Sequence, residues 1–189
     1  MRLTIKIRAK IVIEAYRPYL RPEHSVLDVG CGNGVMADEI RKEIRCRMTG
    51  TDVMEYLETD LPFEPMPAST KLPFSAGQFS AVLFTDTLHH MPKDQQLALI
   101  AESLRVTSGK VLLLEMRPTL AAKATDWIAN KIHNHHMPIP WTMRDLPEWE
   151  QVLGGIAKVE EARALARPFP LYPVEHFVIA LSNRKKEPA

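Results

Sequence analysis

The sequence predicts an α/β domain built on a doubly wound, largely parallel sheet with helices on both faces. Three observations carry this. Short, wholly apolar runs, Val26-Leu27 and Val111 to Leu114, read as strands covered on both sides. They alternate with segments whose apolar residues recur every three or four positions, as in helices. The first run breaks into Gly30-Cys31-Gly32-Asn33-Gly34 before a helix, the strand–turn–helix step that places a ligand at the carboxyl end of a parallel sheet.

In chain order, Ile5, Ala9, Val12, Tyr16 and Leu20 mark one face of a helix over residues 4 to about 20, ended by Pro18 and Pro22. Val26 to Val29 forms the first strand. Glycines at alternate positions of the turn accept unusual backbone angles and let a ligand lie against the main chain, and the next helix turns free N–H groups to the same spot. A dinucleotide fingerprint would be G-x-G-x-x-G; here the spacing is G-x-G-x-G, with Val35 where the third glycine would stand. Asp28, inside the strand, would sit badly beside a pyrophosphate but suits a ligand carrying an ammonium group.

Met36, Ile40 and Ile44 define the second helix, and Arg45 to Asp52 the second strand. Asp52 falls where an acid can accept both ribose hydroxyls of an adenosine. Pro62, Pro65 and Pro67 predict an irregular passage between residues 54 and 67. Ser80 to Phe84 is a further strand, ending in Thr85-Asp86-Thr87-Leu88-His89-His90. Pro92 opens a helix to about Val106, Ser108-Gly109 is expected to turn the chain, and Lys110 to Glu115 is a central strand. Helices are expected over Ala121–Lys131 and Asp145–Leu153, then strands over Val159–Arg167 and Val174–Ser182.

The stretch V-L-D-V-G-C-G-N-G resembles the first motif of the class I S-adenosylmethionine-dependent methyltransferases, and Leu72-Pro73-Phe74 with Phe79 is similar to the small-molecule branch that includes quinone-biosynthesis methyltransferases. The resemblance implies a Rossmann-like sheet of about seven strands, the last antiparallel between the fifth and sixth. It implies S-adenosyl-L-methionine as cofactor, with Asp28, Gly30, Cys31, Gly32, Asn33 and Gly34 along its methionine end, Asp52 at the ribose and Val53 beside the adenine. Ala68 and Ser80 stand where relatives carry acids. Adenine recognition then falls to Ser69, Thr70 or backbone groups, and Thr85 joins the site from its strand end. Relatives often carry L-H-H near the methyl donor, so His89 or His90 is a candidate general base. Asp86 is a candidate for the cofactor's ammonium or for orienting the acceptor.

Residues 117–155 exceed a simple crossover and resemble a lid insertion over the active site, with a loop dense in histidine from His133 to Trp141. No metal site is expected there, because His133, His135 and His136 lie too close in sequence to share an ion readily.

The whole chain of 189 residues reads as one such domain, transferring a methyl group to a small-molecule acceptor by in-line displacement; the alternative is a non-catalytic protein that keeps the fold and binds the cofactor. A net charge of +1 gives no electrostatic footprint for nucleic acid. Cys31 and Cys46 make no disulfide framework, and no run reaches membrane-spanning length. A cytoplasmic location is expected.

Overall fold

The computed structural model describes residues 2–67, 70–133, 142–170 and 172–184. Helix α1 (Arg2–Tyr16) precedes β1 (Ser25–Val29), α2 (Val35–Ile44), β2 (Arg47–Thr51) and β3 (Phe79–Thr85). A single helical turn at Leu88–His90 leads to α3 (Lys93–Val106), β4 (Thr107–Met116), α4 (Leu120–His133), α5 (Leu146–Leu153), β5 (Lys158–Ala164) and β6 (His176–Ser182).

The strands form one sheet in the order β2-β1-β3-β4-β6-β5. The first four are parallel, and β6 runs antiparallel between β4 and β5, as the resemblance implied. Chain order reverses between β1 and β3, the switch point where open α/β sheets bind ligands.

Six strands stand among the described residues instead of about seven. The predicted irregular passage between residues 54 and 67 stands where a further strand would lie beside β2, and only one parallel bridge forms there, between Gly50 and Phe63. Pro62, Pro65 and Pro67 explain the loss, because each lacks the N–H a strand would donate. The passage is held instead by hydrogen bonds that lead its backbone along β2: Gly50 N–H to Pro62 O, Glu64 N–H to Gly50 O and Met66 N–H to Asp52 O.

The pleat sorts side chains into two cores. Leu27, Val82, Phe84, Leu113 and Ile179 face α3 and α5 through Leu99, Ile100, Trp149 and Leu153. Val26, Leu83, Leu112, Leu114 and Val178 face α1 and α2 through Val12, Tyr16, Ala37 and Ile40.

The expected turn at Ser108-Gly109 is instead the start of β4, which follows α3 without a loop. Thr107 Oγ1 donates to Phe79 O and accepts from Gly109 N–H, fixing this join. A methyl group on Gly109 would lie 2.1 Å from Ser80 O, so the glycine is what lets β3 and β4 meet here. Gly109→Ala is expected to cost about 1–3 kcal/mol in denaturant unfolding, because the obstacle is backbone that cannot rotate away.

Candidate active site

The site lies at the carboxyl ends of β1, β2, β3 and β4, astride the switch point. Gly30, Gly32 and Gly34 all have positive φ, at 71°, 57° and 77°. The turn is therefore written in a conformation that side chains resist. It is tied to β2 by Gly30 N–H and Cys31 N–H, both donating to Thr51 O at 2.8 and 3.2 Å. Gly30 also packs on Thr87, whose Cγ2 would stand 2.2 Å from an added Cβ. That contact joins the glycine turn to the Leu88–His90 turn. Asn33 Oδ1 accepts from Val35 N–H at 3.3 Å, closing a turn just ahead of α2, whose N-cap is Gly34. Cys31 is buried against Gly50 and Leu61, and its thiol is pushed up by burial and by the nearby Asp28 and Asp52 carboxylates.

Asp28 is 2% exposed, and its Oδ1 has no hydrogen-bond partner. Burial first, then the charge of Asp52, pushes its carboxyl up to about 7, with Arg8 opposing. A buried carboxylate with one oxygen unpartnered among the described residues is poised for a cation. Asp52 Oδ2 accepts from Gly32 N–H at 3.0 Å and Oδ1 from Met54 N–H at 3.3 Å. Each oxygen keeps a second lone pair. Val53 and Met54, beside it, expose apolar surface. Thr85 spends its hydroxyl on Tyr16, at 3.1 Å, so its side chain braces α1 against β3. Thr70 lies in the bend between β2 and β3, and Ser69 falls outside the described residues, as do 134–141 of the histidine-rich loop.

The other half of the site is a network of buried charge. Asp86 has φ 52°. Its Oδ2 lies 3.2 Å from Arg8 of α1 and 3.5 Å from His176 of β6. Burial alone would raise the Asp86 carboxyl, but His176 and Arg8 outweigh it and hold the group well below the usual range.

His89 is 1% exposed and sits between two acids. Nδ1 is 2.6 Å from Glu115 Oε2, and Nε2 is 3.4 Å from Asp126 Oδ1. Burial opposes a charged imidazole, but Glu115 and Asp126 prevail and raise its pKa well above the ordinary value. His90 is tilted against it, ring centroids 4.2 Å apart, and its Nδ1 has no partner. Burial and the neighbouring His89 charge lower the His90 pKa. Two histidines read alike in sequence are thus pushed in opposite directions.

Glu115 and Asp126 complete this half of the site. The Glu115 Oε1 accepts from Thr87 N–H at 3.1 Å and Leu88 N–H at 2.8 Å, so one carboxylate shapes the turn and holds the ring. Asp126 reaches the same ring from α4, one turn beyond the buried Ala122. Each carries a signal in sequence: Glu115 is the one charge ending an apolar strand, and Asp126 is an acid on the buried side of a helix. On the far side, Thr142 Oγ1 donates to His89 O or Met91 O, and Gln96 Nε2 reaches Leu88 O and Thr142.

Comparison with known proteins bears on the family and the fold. A family pattern described as a methyltransferase domain matches residues 6–166. The eEF1A lysine and N-terminal methyltransferase of Danio rerio is 26% identical over 137 residues, 67% of this chain but 19% of that relative's length. The fold is similar to Burkholderia thailandensis 1,6-didemethyltoxoflavin-N1-methyltransferase, solved with 1,6-didemethyltoxoflavin and S-adenosylhomocysteine. There the TM-score is 0.69 at 16% identity, covering 95% of this chain and 79% of that one. A methyltransferase solved with the Haloferax volcanii Trm112 methyltransferase activator gives 0.68 at 14%, covering 92% and 89%. At such identities the likeness speaks for the fold. With the glycine turn, its flanking acids and a family match over most of the sequence, the chain belongs to the class I S-adenosylmethionine-dependent methyltransferases.

Proposed function

We propose that this domain transfers the methyl group of S-adenosylmethionine to a small-molecule acceptor. The observation that carries the reading is the buried Asp28 carboxylate, one oxygen unpartnered among the described residues, beside a glycine turn in left-handed geometry, a fit for an α-amino acid whose ammonium meets Asp28. Gly30 to Gly34 lie along the methionine end, Asp52 takes the ribose hydroxyls, and the exposed Val53 covers one face of the adenine, with Ser69 and Thr70 at its edge. The bound cofactor supplies a methyl group already activated by a positive sulfur.

The chain therefore contributes placement. Asp86, His89 and His90 form the acceptor end, Asp86 and His89 orienting the incoming nucleophile and His90, whose pKa is lowered, receiving its proton. Residues 117–155 act as a lid within a single domain, α4 bringing Asp126 onto the histidines, and a site closed by such a lid favours a small acceptor. The buried free thiols of Cys31 and Cys46 support a reducing, cytoplasmic setting.

The 26% identity to a lysine and N-terminal methyltransferase favours a second reading, in which the acceptor is a protein amine. The two are separated by incubating the protein with methyl-labelled cofactor and either a panel of small phenols, thiols and amines or a cell extract fractionated by size. Label in the small-molecule fraction supports the first reading. Label confined to protein selects the second. Asp52→Ala is expected to weaken cofactor binding by about 10- to 100-fold and to cost about 1–3 kcal/mol in unfolding, since Asp52 is buried and two backbone N–H groups lose their acceptor.

A further inference from the structure

Two adjacent imidazoles, His89 and His90, aim their Nε2 atoms at one carboxylate oxygen, Asp126 Oδ1, at 3.4 and 3.7 Å. All three donor atoms lie within 4.8 Å of one another. The 3.7 Å separation is too long for a hydrogen bond, and His90 Nδ1 has no partner either. So the His90 ring sits in a largely buried position and, among the described residues, has no hydrogen bond at either nitrogen. Donors held by an ion at about 2.0–2.2 Å in tetrahedral array stand roughly 3.3–3.6 Å apart. The 3.4 Å His89–Asp126 separation falls within that spacing and the 3.7 Å His90–Asp126 separation just beyond it.

A further feature points to a cation. A metal-bound histidine commonly has its other ring nitrogen fixed by a carboxylate. Glu115 Oε2, 2.6 Å from His89 Nδ1, does this, and Glu115 is itself anchored by two backbone N–H groups.

We propose that His89, His90 and Asp126 form a binding site for a divalent transition-metal ion of the zinc type, with Glu115 orienting His89 from behind. Two imidazole nitrogens and one oxygen select zinc, cobalt or nickel over magnesium and calcium, which take oxygen donors. Three protein ligands leave a fourth position open, the arrangement of sites that receive a water or substrate. The proposal rests on the reading of this cluster as the acceptor end of the site. An acceptor oxygen, nitrogen or sulfur completes the coordination, and Asp86 is left to face it. The donors come from segments far apart in sequence, which is why local histidine spacing did not reveal them.

The test is titration of chelator-treated protein with Zn²⁺ by calorimetry, and with Co²⁺ by visible absorption. S-adenosylmethionine binding is measured on the same samples. One equivalent of Zn²⁺ and cobalt bands of a four-coordinate site are expected. Asp126→Asn and His90→Gln should each lose about 100-fold or more in Zn²⁺ affinity, and Glu115→Gln about 10- to 100-fold. Replacing His133, His135 and His136 by alanine should leave Zn²⁺ affinity unchanged. Retained cofactor binding shows that a variant is folded. Absence of Zn²⁺ binding in the parent protein, unchanged affinity in folded Asp126→Asn and His90→Gln, or loss confined to the triple alanine variant overturns the proposal. Failure of the parent to bind the cofactor would count against the methyltransferase site and leave the metal result standing.

Discussion

Asp28→Asn is expected to stabilise the cofactor-free protein and to cripple cofactor binding. In the folded chain the Asp28 carboxyl is raised from 3.8 to about 7 by burial and by Asp52. A carboxyl raised on folding favours the native state fully below about pH 4, where both forms are protonated, and that contribution is lost as pH rises toward 7. Above pH 7 the native state carries a buried anion with one oxygen unpartnered. Asparagine removes the charge, so a gain of roughly 2–4 kcal/mol is expected at pH 8, reduced by whatever its amide fails to bond. The gain should shrink toward pH 5. Thermal or urea unfolding across that range measures it.

Cofactor affinity should move the other way. The ammonium needs the ionised carboxylate, so wild-type binding should tighten as pH rises from about 6 to 8 and then level off. The variant should bind about 10- to 100-fold more weakly, with little of that pH dependence. A buried group that destabilises the empty fold and pairs with the ligand is how a binding site differs from a core position.

Glu115→Ala is expected to be the most damaging substitution at the acceptor end. It removes the acceptor for Thr87 N–H and Leu88 N–H and leaves the His89 ring buried without its 2.6 Å partner. Breaking a buried charged pair by deleting one member costs about 3–5 kcal/mol. Chemical denaturation should show a loss of that size, and methyl transfer should fall with it because the Leu88–His90 turn loses its shape. Glu115→Gln keeps an oxygen for the turn, so it should retain most of the stability and separate the two effects.

The parts of this protein legible in sequence are those whose chemistry is local. Val26 to Gly34 announces strand, turn and helix within nine residues, since apolar residues, alternate glycines and a helix start each have a short-range cause. Pro62, Pro65 and Pro67 likewise announce the irregular passage that replaces a third strand. The Ser108-Gly109 pair misleads: read locally it is a turn, yet the glycine serves the approach of β4 to Ser80. That requirement arises only when two strands meet.

At the site, the residues nearest the glycine turn could be named in advance, whereas the partners of His89 could not. Glu115 lies 26 positions away and Asp126 37. What brings them together is the sheet order β1-β3-β4 and the docking of α4, neither of which any short window encodes. The same packing gives Thr85 a role no motif suggested, as a brace for Tyr16.

The measurement that tests the central claim most directly is calorimetric titration of the purified wild-type protein with S-adenosylmethionine, S-adenosylhomocysteine and NADH. The account predicts saturable, one-to-one binding of both adenosyl ligands and no heat from NADH. Silence with both adenosyl ligands, or binding of NADH, would contradict the site assigned to Asp28, the glycine turn and Asp52.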